Sequence, residues 1–486
     1  MSTNGHAPRE PRVAIVGAGM SGICMGLKLQ REGIDDFTIF EKGEEVGGTW
    51  RDNTYPGLFC DIPSRFYQLS FAPNPDWTHR FSPGPEIWRY FERLTTEHGL
   101  RKRIRFGTEV VSASHDGERW RLKLADGGEF DADFLISATG VLHHPRYPDI
   151  QGLDTFEGAS FHSARWDHSV PLEGRRVGII GTGSTGVQIV TALAGKTAKL
   201  TMFQRTAQWI LPYPNRRYSR LTRALHRRFP VLDRLAYHNT RRSFEFMSRA
   251  LTSPGWQRRF VSFLCRAHLR TVRDPELRRK LTPTYQPMCK RLVVSAGFYR
   301  AVQREGVEVV TERIERVEPK GVRTADGVLH ELDVLVLATG FDAHAYIRPM
   351  NLTGPNGESL EEAWAEGPRS WRTVALPGFP NFFMMMGPQS PVGNYSLTRI
   401  AETQADYAIG WMRRWMRGEF NRVAPRADAA KAFEAERRRA LPNTVWVTGC
   451  DSWYLGPDGV PEIWPWEPER HREMLADLRE AEFELA

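Results

Sequence analysis

Val13-Ala14-Ile15-Val16-Gly17-Ala18-Gly19-Met20-Ser21-Gly22 decides the fold. Four apolar residues read as a buried parallel strand. A GxGxxG turn follows, then a helical stretch to about Arg31, then the strand FTIFE ending at Glu41. Gly17 permits the tight turn, Gly19 lets the backbone approach a pyrophosphate, and Gly22 lets helix and strand pack closely. The helix N-terminus faces the phosphate charge. Glu41, about 20 residues on, is placed to hydrogen-bond ribose hydroxyls of an adenosine without a 2′-phosphate.

The same syntax recurs further along. RRVGII (175–180) is a strand, Gly181-Thr182-Gly183-Ser184-Thr185-Gly186 the turn, and VQIVTALAG a helix. The next strand, AKLTMF, runs into Gln204-Arg205-Thr206, with no acid. An arginine at that strand end suits a 2′-phosphate; the bland alternative is a solvated surface arginine. Two further strands end alike, FLISATG (134–140) and VLVLATG (334–340). An Ala-Thr-Gly ending lets the backbone pass near a cofactor and then turn. The expected fold is α/β, with two Rossmann-like dinucleotide-binding domains. The economical pairing is FAD in the first and NADPH in the second.

Composition narrows the alternatives. The 486 residues are 41% hydrophobic, 26% charged and 11% aromatic, which excludes a disordered, collagenous or disulfide-scaffold chain. Cys24, Cys60, Cys265, Cys289 and Cys450 are dispersed without a CxxC or CxxxxC pair. That argues for a reducing compartment and against structural zinc or a dithiol redox centre. The N-terminal MSTNGHAPREPR lacks a signal-peptide core, and no run of about 18 apolar residues occurs, so a cytoplasmic setting is expected.

Lys+Arg 66 against Asp+Glu 58 gives +8. Residues 216–273 hold 15 Arg, no Lys and only Asp233 and Glu245 as acids, so this stretch carries +13 and the remainder −5. The localised charge and the two glycine turns together disfavour a nucleic-acid-binding module. Leu221, Ala224 and Leu225, then Phe229, Leu232 and Leu235, then Phe260, Phe263 and Leu264 recur at helical spacing. This reads as an all-helical insertion broken at Pro230 and Pro254. Its charge is either a solvated face or a basic amphipathic surface resting on anionic membrane.

Two further segments carry a resemblance. They are GGTWRDNTYPGLFCD (47–61) and FEGASFHSARWD (156–167). On these motifs and the two glycine turns, the chain resembles the type I Baeyer–Villiger monooxygenases, a branch of the class B flavin-dependent monooxygenases. The family fingerprint, FxGxxxHxxxW followed by Pro or Asp, is met at Phe156, Gly158, His162, Trp166 and Asp167. The longer pattern GGxWxxxxYPGxxxD is met from Gly47 to Asp61. The resemblance runs from about residue 12 to about residue 470.

The resemblance implies an FAD- and NADPH-dependent monooxygenase. Such an enzyme inserts one oxygen atom of O₂ beside a ketone carbonyl, giving an ester or lactone through a C4a-peroxyflavin. It implies Arg291 as the catalytic arginine beside the flavin and Asp61 as the group that positions it. Lys290 would join Arg205 and Thr206 at the 2′-phosphate, and Trp453 would meet the nicotinamide-side ribose on a mobile loop. Ser21, Trp50, Tyr67 and Val110 match FAD-contacting positions, and no metal is implied. Where many members read GANxPGK after Ser-Trp, this chain reads Leu455-Gly456-Pro457-Asp458-Gly459, which leaves the loop's shape and the substrate range open.

Structural alternatives stand beside several of these roles. His162 and Trp166 fit packing in an interdomain linker, Asp61 fits a cap before Ile62-Pro63, and Trp453 fits a core position. Met384-Met385-Met386 reads as an apolar strand. The rival activities are an N- or S-oxygenase on the same scaffold and an uncoupled NADPH oxidase. The expected division is 1–145 FAD domain, 146–212 NADP domain with linker, 213–286 helical insertion, 287–375 NADP domain again, and 376–486 FAD domain again.

Overall fold

Residues 10–393 and 395–486 are described by the computed structural model. The first nine residues, which hold most of the N-terminal stretch read above for a signal core, lie outside them. Val13–Val16 is the middle strand of a five-stranded parallel sheet in the order Phe382–Met384, Phe134–Ser137, Val13–Val16, Phe37–Phe40, Ile104–Arg105. Helix α1 (Met20–Arg31) follows, and its Ile23, Cys24, Met25 and Leu29 are fully buried in the first core. The second sheet repeats the plan. Its parallel order is Val307–Val310, Lys199–Phe203, Arg176–Ile180, Val334–Leu337, Ala159–His162, and helix α2 (Ser184–Leu193) follows its middle strand.

The two Ala-Thr-Gly endings explain themselves at this level. A Cβ on Gly17 (φ +106°) would sit 2.6 Å from the Ala138 carbonyl oxygen. A Cβ on Gly181 (φ +124°) would sit 2.2 Å from that of Ala338. Each crossing strand is thus pressed onto its glycine turn, and only hydrogen fits between them. Gly22 and Gly186 close the turns from the helix side; a Cβ there would fall 1.9 Å and 2.3 Å from the carbonyls of Gly17 and Gly181.

The arginine-rich stretch forms helices α3 (Arg220–Arg228), α4 (Pro230–Thr252) and α5 (Trp256–Leu269). Ser219 caps α3 by accepting the Thr222 N–H at 3.0 Å, Pro230 opens α4, and Pro254 lies in the break before α5. Arg258 ties the hairpin down, donating to the carbonyls of Ala250 at 2.8 Å and Asn443 at 2.9 Å. Val261, Cys265 and Leu269 face the core, whereas Leu221, Leu225, Phe229, Leu235, Phe260 and Phe263 are exposed.

The chain returns to the first sheet's side earlier than residue 376. Asn351–Thr353 already pairs with Val110–His115, and Tyr346, Ile347 and Trp364 share a core with Trp120 and Phe382. The crossing is a tertiary pairing, with no marker in local composition. Helix α6 (Leu397–Met416) then packs its buried Ala401, Ala405 and Ala408 into the first core and pairs Asp406 with Lys28 of α1 at 2.5 Å.

Two of the five dispersed cysteines are paired in the fold. Cys289 and Cys450 form a disulfide, their Cα atoms 6.1 Å apart across a sequence separation of 161. Cys24, Cys60 and Cys265 are free and buried. The pairing arises because the C-terminal loop folds back onto the segment before Lys290, and spacing alone does not reveal it. Among the described residues, no helix is long and apolar enough to cross a membrane.

Candidate functional site

A cleft of about 1800 Å³ opens where the strands of both sheets end, and both glycine turns line it. This is where open α/β sheets place their ligands. On the first side Glu41 is buried. One of its oxygens accepts the Ala18 N–H at 2.8 Å; the other accepts the Gly43 N–H at 2.8 Å and Arg51 Nη1 at 3.0 Å. The carboxylate therefore also fixes the shape of the turn. Trp50 Nε1 donates to the Tyr67 hydroxyl at 3.1 Å with the rings edge to face at 5.6 Å, and burial lifts the Tyr67 hydroxyl well above its ordinary range. Gly19, Ser21, Trp50, Tyr67 and Val110 line the cleft, whereas Gly22 sits behind the turn.

On the second side Thr182 Oγ1 donates to the Thr206 carbonyl at 2.7 Å, holding the turn to the segment that bears exposed Arg205. A Cβ on Gly183 would meet nothing within 4 Å, so the backbone there is open to a ligand. Ser184 and Thr185 begin α2 and line the cleft; Gly186 faces the sheet. The Lys290 ammonium is held below its ordinary range by burial and by Arg205, against the pull of Asp451. Arg205 and Lys290 both line the cleft.

Arg291 and Asp61 meet in the same cleft. Arg291 Nη2 lies 2.8 Å and 3.0 Å from the two carboxylate oxygens, Nε lies 3.1 Å from one of them, and Nη1 donates to the Val392 carbonyl at 3.0 Å. The Asp61 charge raises the Arg291 pKa further, outweighing burial, so the guanidinium stays cationic.

Sequence reasoning missed how the 47–61 stretch is braced. The Tyr55 hydroxyl donates to Gln188 Oε1 of α2 at 3.0 Å, and Gln188 Nε2 donates to the Phe59 carbonyl at 3.0 Å. At Gly57 (φ +82°) a Cβ would sit 2.7 Å from the Gln188 carbonyl oxygen. Burial pushes the Tyr55 hydroxyl up to about 12. The segment that walls the first turn is thus clamped to the helix of the second. The Tyr-Pro-Gly run was the available signal, but nothing local names its partner.

None of the five fingerprint residues lines the cleft. His162 is buried, its Nδ1 accepts the Ala164 N–H at 3.1 Å, and burial depresses its pKa. Its ring lies 5.3 Å from that of Tyr147 and 6.0 Å from that of Phe341, and these two do line the cleft. A Cβ on Gly158 would sit 2.5 Å from the Asp333 carbonyl oxygen. Trp166 packs edge to face on Phe161 at 5.0 Å, and Phe156 packs against the second sheet's outer core. Asp167 accepts the Ser169 N–H at 2.9 Å and hydroxyl at 2.6 Å, an exposed turn. The fingerprint backs the cleft wall from outside.

Trp453 lies at the cleft with 39% of its surface exposed, its ring 4.2 Å from that of Tyr454 and tilted by 44°. The loop beyond it is a small hairpin, with the Gly456 N–H on the Val460 carbonyl at 2.9 Å and Asp458 held by Arg438 at 2.6 Å. Behind it Glu462 is half-buried, one oxygen 3.6 Å from His344 Nε2, and burial pushes its carboxyl up to about 7. Met384 belongs to the strand Phe382–Met384, while Met386 reaches the cleft.

Residues 14–229 match the family model described as pyridine nucleotide-disulphide oxidoreductase. The chain is 60% identical to an uncharacterised monooxygenase of Mycobacterium tuberculosis, over 98% of this chain and 96% of that one. It is 38% identical to a Baeyer–Villiger monooxygenase of Streptomyces coelicolor, over 98% and 92% of the two chains. Among solved structures, the complex of OTEMO with FAD and NADP superposes with a TM-score of 0.88 at 28% identity, over 98% and 100% of the two chains.

Proposed function

This chain belongs to the Baeyer–Villiger monooxygenase family, and from that premise we propose that it converts a ketone to an ester or lactone, with FAD at the first glycine turn, NADPH at the second, and O₂ as oxygen donor. The observation that carries this reading is the fork of Arg291 on Asp61, set in a cleft that both turns line.

The residues present fit both cofactors. The first turn leaves room only for hydrogen at Gly17 and Gly22, and buried Glu41 stands at its mouth. The second turn ends beside Arg205 and Lys290 where the first has its acid, the donor set that a 2′-phosphate needs. The bound cofactors supply hydride transfer and activation of O₂.

The chain's own residues do the rest. Arg291 holds a fixed positive charge where negative charge develops on the reacting oxygens. Asp61 limits the swing of the guanidinium and offsets its charge in a half-buried site. Trp453 and the hairpin behind it exclude water from that site. Arg205 and Lys290 hold the phosphate end of the nicotinamide cofactor. A cytoplasmic setting, where that cofactor is supplied, is part of the same reading.

The test is product identification by mass spectrometry across linear, cyclic, aryl and steroid ketones, with NADPH and oxygen consumption recorded together. Ester or lactone matching the NADPH consumed is the expected result. Hydrogen peroxide matching NADPH whatever ketone is present, or sulfoxide from thioethers with no ester from any ketone, overturns it.

A further inference from the structure

Nine of the fourteen large apolar side chains exposed among the described residues lie in one stretch, from Leu221 to Phe263. Exposed apolar residues are ordinarily scattered singly. Here they form rows. On α4, Val231, Leu235 and Phe246 share a helical face with Arg234 and Arg242, and on α5 Trp256, Phe260 and Phe263 share another. The rows join, since the Phe246 ring lies 5.6 Å from that of Trp256, which lies 6.5 Å from that of Phe260. Leu221 and Leu225 extend the apolar surface onto α3, and exposure reaches 69% at Leu221, 60% at Phe263 and 53% at Trp256.

The charge around these rows has one sign. Both acids of the stretch turn inward: Asp233 is buried on Arg65 and His226, and Glu245 is held by Arg241 and by the Tyr395 hydroxyl at 2.7 Å. Among the described residues, ion pairs to the rest of the surface engage Arg227, Arg241 and Arg249. Arg220, Arg228, Arg234, Arg242 and Arg259 are exposed beside the apolar rows without one.

We propose that α3–α5 seats the protein on an anionic lipid bilayer, with Trp256, Phe260 and Phe263 entering the headgroup boundary and the unpaired arginines resting on lipid phosphates. Aromatic side chains and arginines are the two groups that favour that boundary. A second copy of the chain is the poorer occupant, because a two-fold contact sets arginine against arginine with no exposed carboxylate in the stretch to answer it. A nucleic acid would meet Leu221, Leu225, Val231 and Leu235 where it needs donors or stacking faces. The protein then lies on the membrane, where apolar substrates concentrate, and does not cross it.

The experiment is co-sedimentation of the full-length FAD-loaded protein with phosphatidylcholine vesicles, with and without phosphatidylglycerol, at low and high salt. It reads pelleting and is independent of turnover. Pelleting is expected only with the anionic vesicles, weakening as salt rises. The double variant W256S/F263S and the triple variant R234Q/R242Q/R259Q should each lower the partition coefficient by about tenfold or more, with circular dichroism unchanged. No pelleting of the unmodified protein at low salt, equal pelleting with both vesicle types, or pelleting that survives both variants overturns the proposal. So does a dimer in sedimentation velocity that both variants dissociate, since the second copy then covers this face.

Discussion

Arg291 and Asp61, 230 residues apart in the chain, meet as a two-pronged ion pair with Nη2 at 2.8 Å and 3.0 Å from the carboxylate oxygens. Neither residue belongs to a glycine turn, yet the pair lines the same cleft as both turns. A fork on a carboxylate fixes a guanidinium in plane as well as in place. The charge is thereby aimed before any substrate arrives.

R291A should leave flavin reduction by NADPH intact and lower ester formation by about a hundredfold or more. Stopped-flow absorbance reads the first and product chromatography the second. R291K, which keeps the charge and loses the fork, should fall between the two. Normal ester turnover in R291A removes this residue from the reaction.

Arg205 and Lys290 should act together on one phosphate. R205A should raise the KM for NADPH by about tenfold with a smaller effect on kcat, as loss of a charge-assisted hydrogen bond does. The KM for NADH should barely move. An unchanged NADPH-to-NADH preference sinks the assignment.

Y55F removes the donor to buried Gln188 Oε1 and leaves that acceptor unpaired. The expected cost is about 1–3 kcal/mol in urea unfolding. Unfolding curves that coincide with those of the unmodified protein would show that Gln188 finds another donor.

Glu462 gives the pH dependence. Burial raises its carboxyl to about 7 in the folded chain, above its unfolded value. Its contribution is therefore present at acid pH and is lost as pH rises through about 7. The neutral amide of E462Q mimics the protonated carboxyl. That variant should match the unmodified protein in Tm near about pH 4, below the unfolded value, and exceed it near about pH 8. The neighbouring charges of Arg437, Asp458, Glu434 and Arg369 act on the same carboxyl, and His344 faces it at 3.6 Å. A Tm difference that stays flat with pH contradicts the shift.

What was legible in the sequence follows the range of the interaction. The Gly17–Gly22 and Gly181–Gly186 turns are local, so strand, turn and helix can be read from one window, and the structure places them in matching sheets. Lys290 and Arg291 stood out through the family resemblance and not through any local pattern. Tyr55 on Gln188, Cys289 on Cys450 and Asn351–Thr353 on Val110–His115 are long-range pairings, invisible to spacing. The insertion shows a subtler limit. Helical periodicity marks Phe260 and Phe263 as readily as neighbouring Val261, yet only Val261 is buried. Periodicity finds an apolar stripe without saying whether protein covers it.

The Cys289–Cys450 bond fastens the residue before Lys290 to the start of the strand of chain that bears Trp453. The lysine and the tryptophan therefore share one covalent frame, though 161 residues separate the cysteines. The tether limits how far the chain entering the Trp453 loop can move from the backbone before Lys290. On the proposed assignment of this end of the cleft to the nicotinamide cofactor, the bond links the group at the nicotinamide end to the group at the phosphate end.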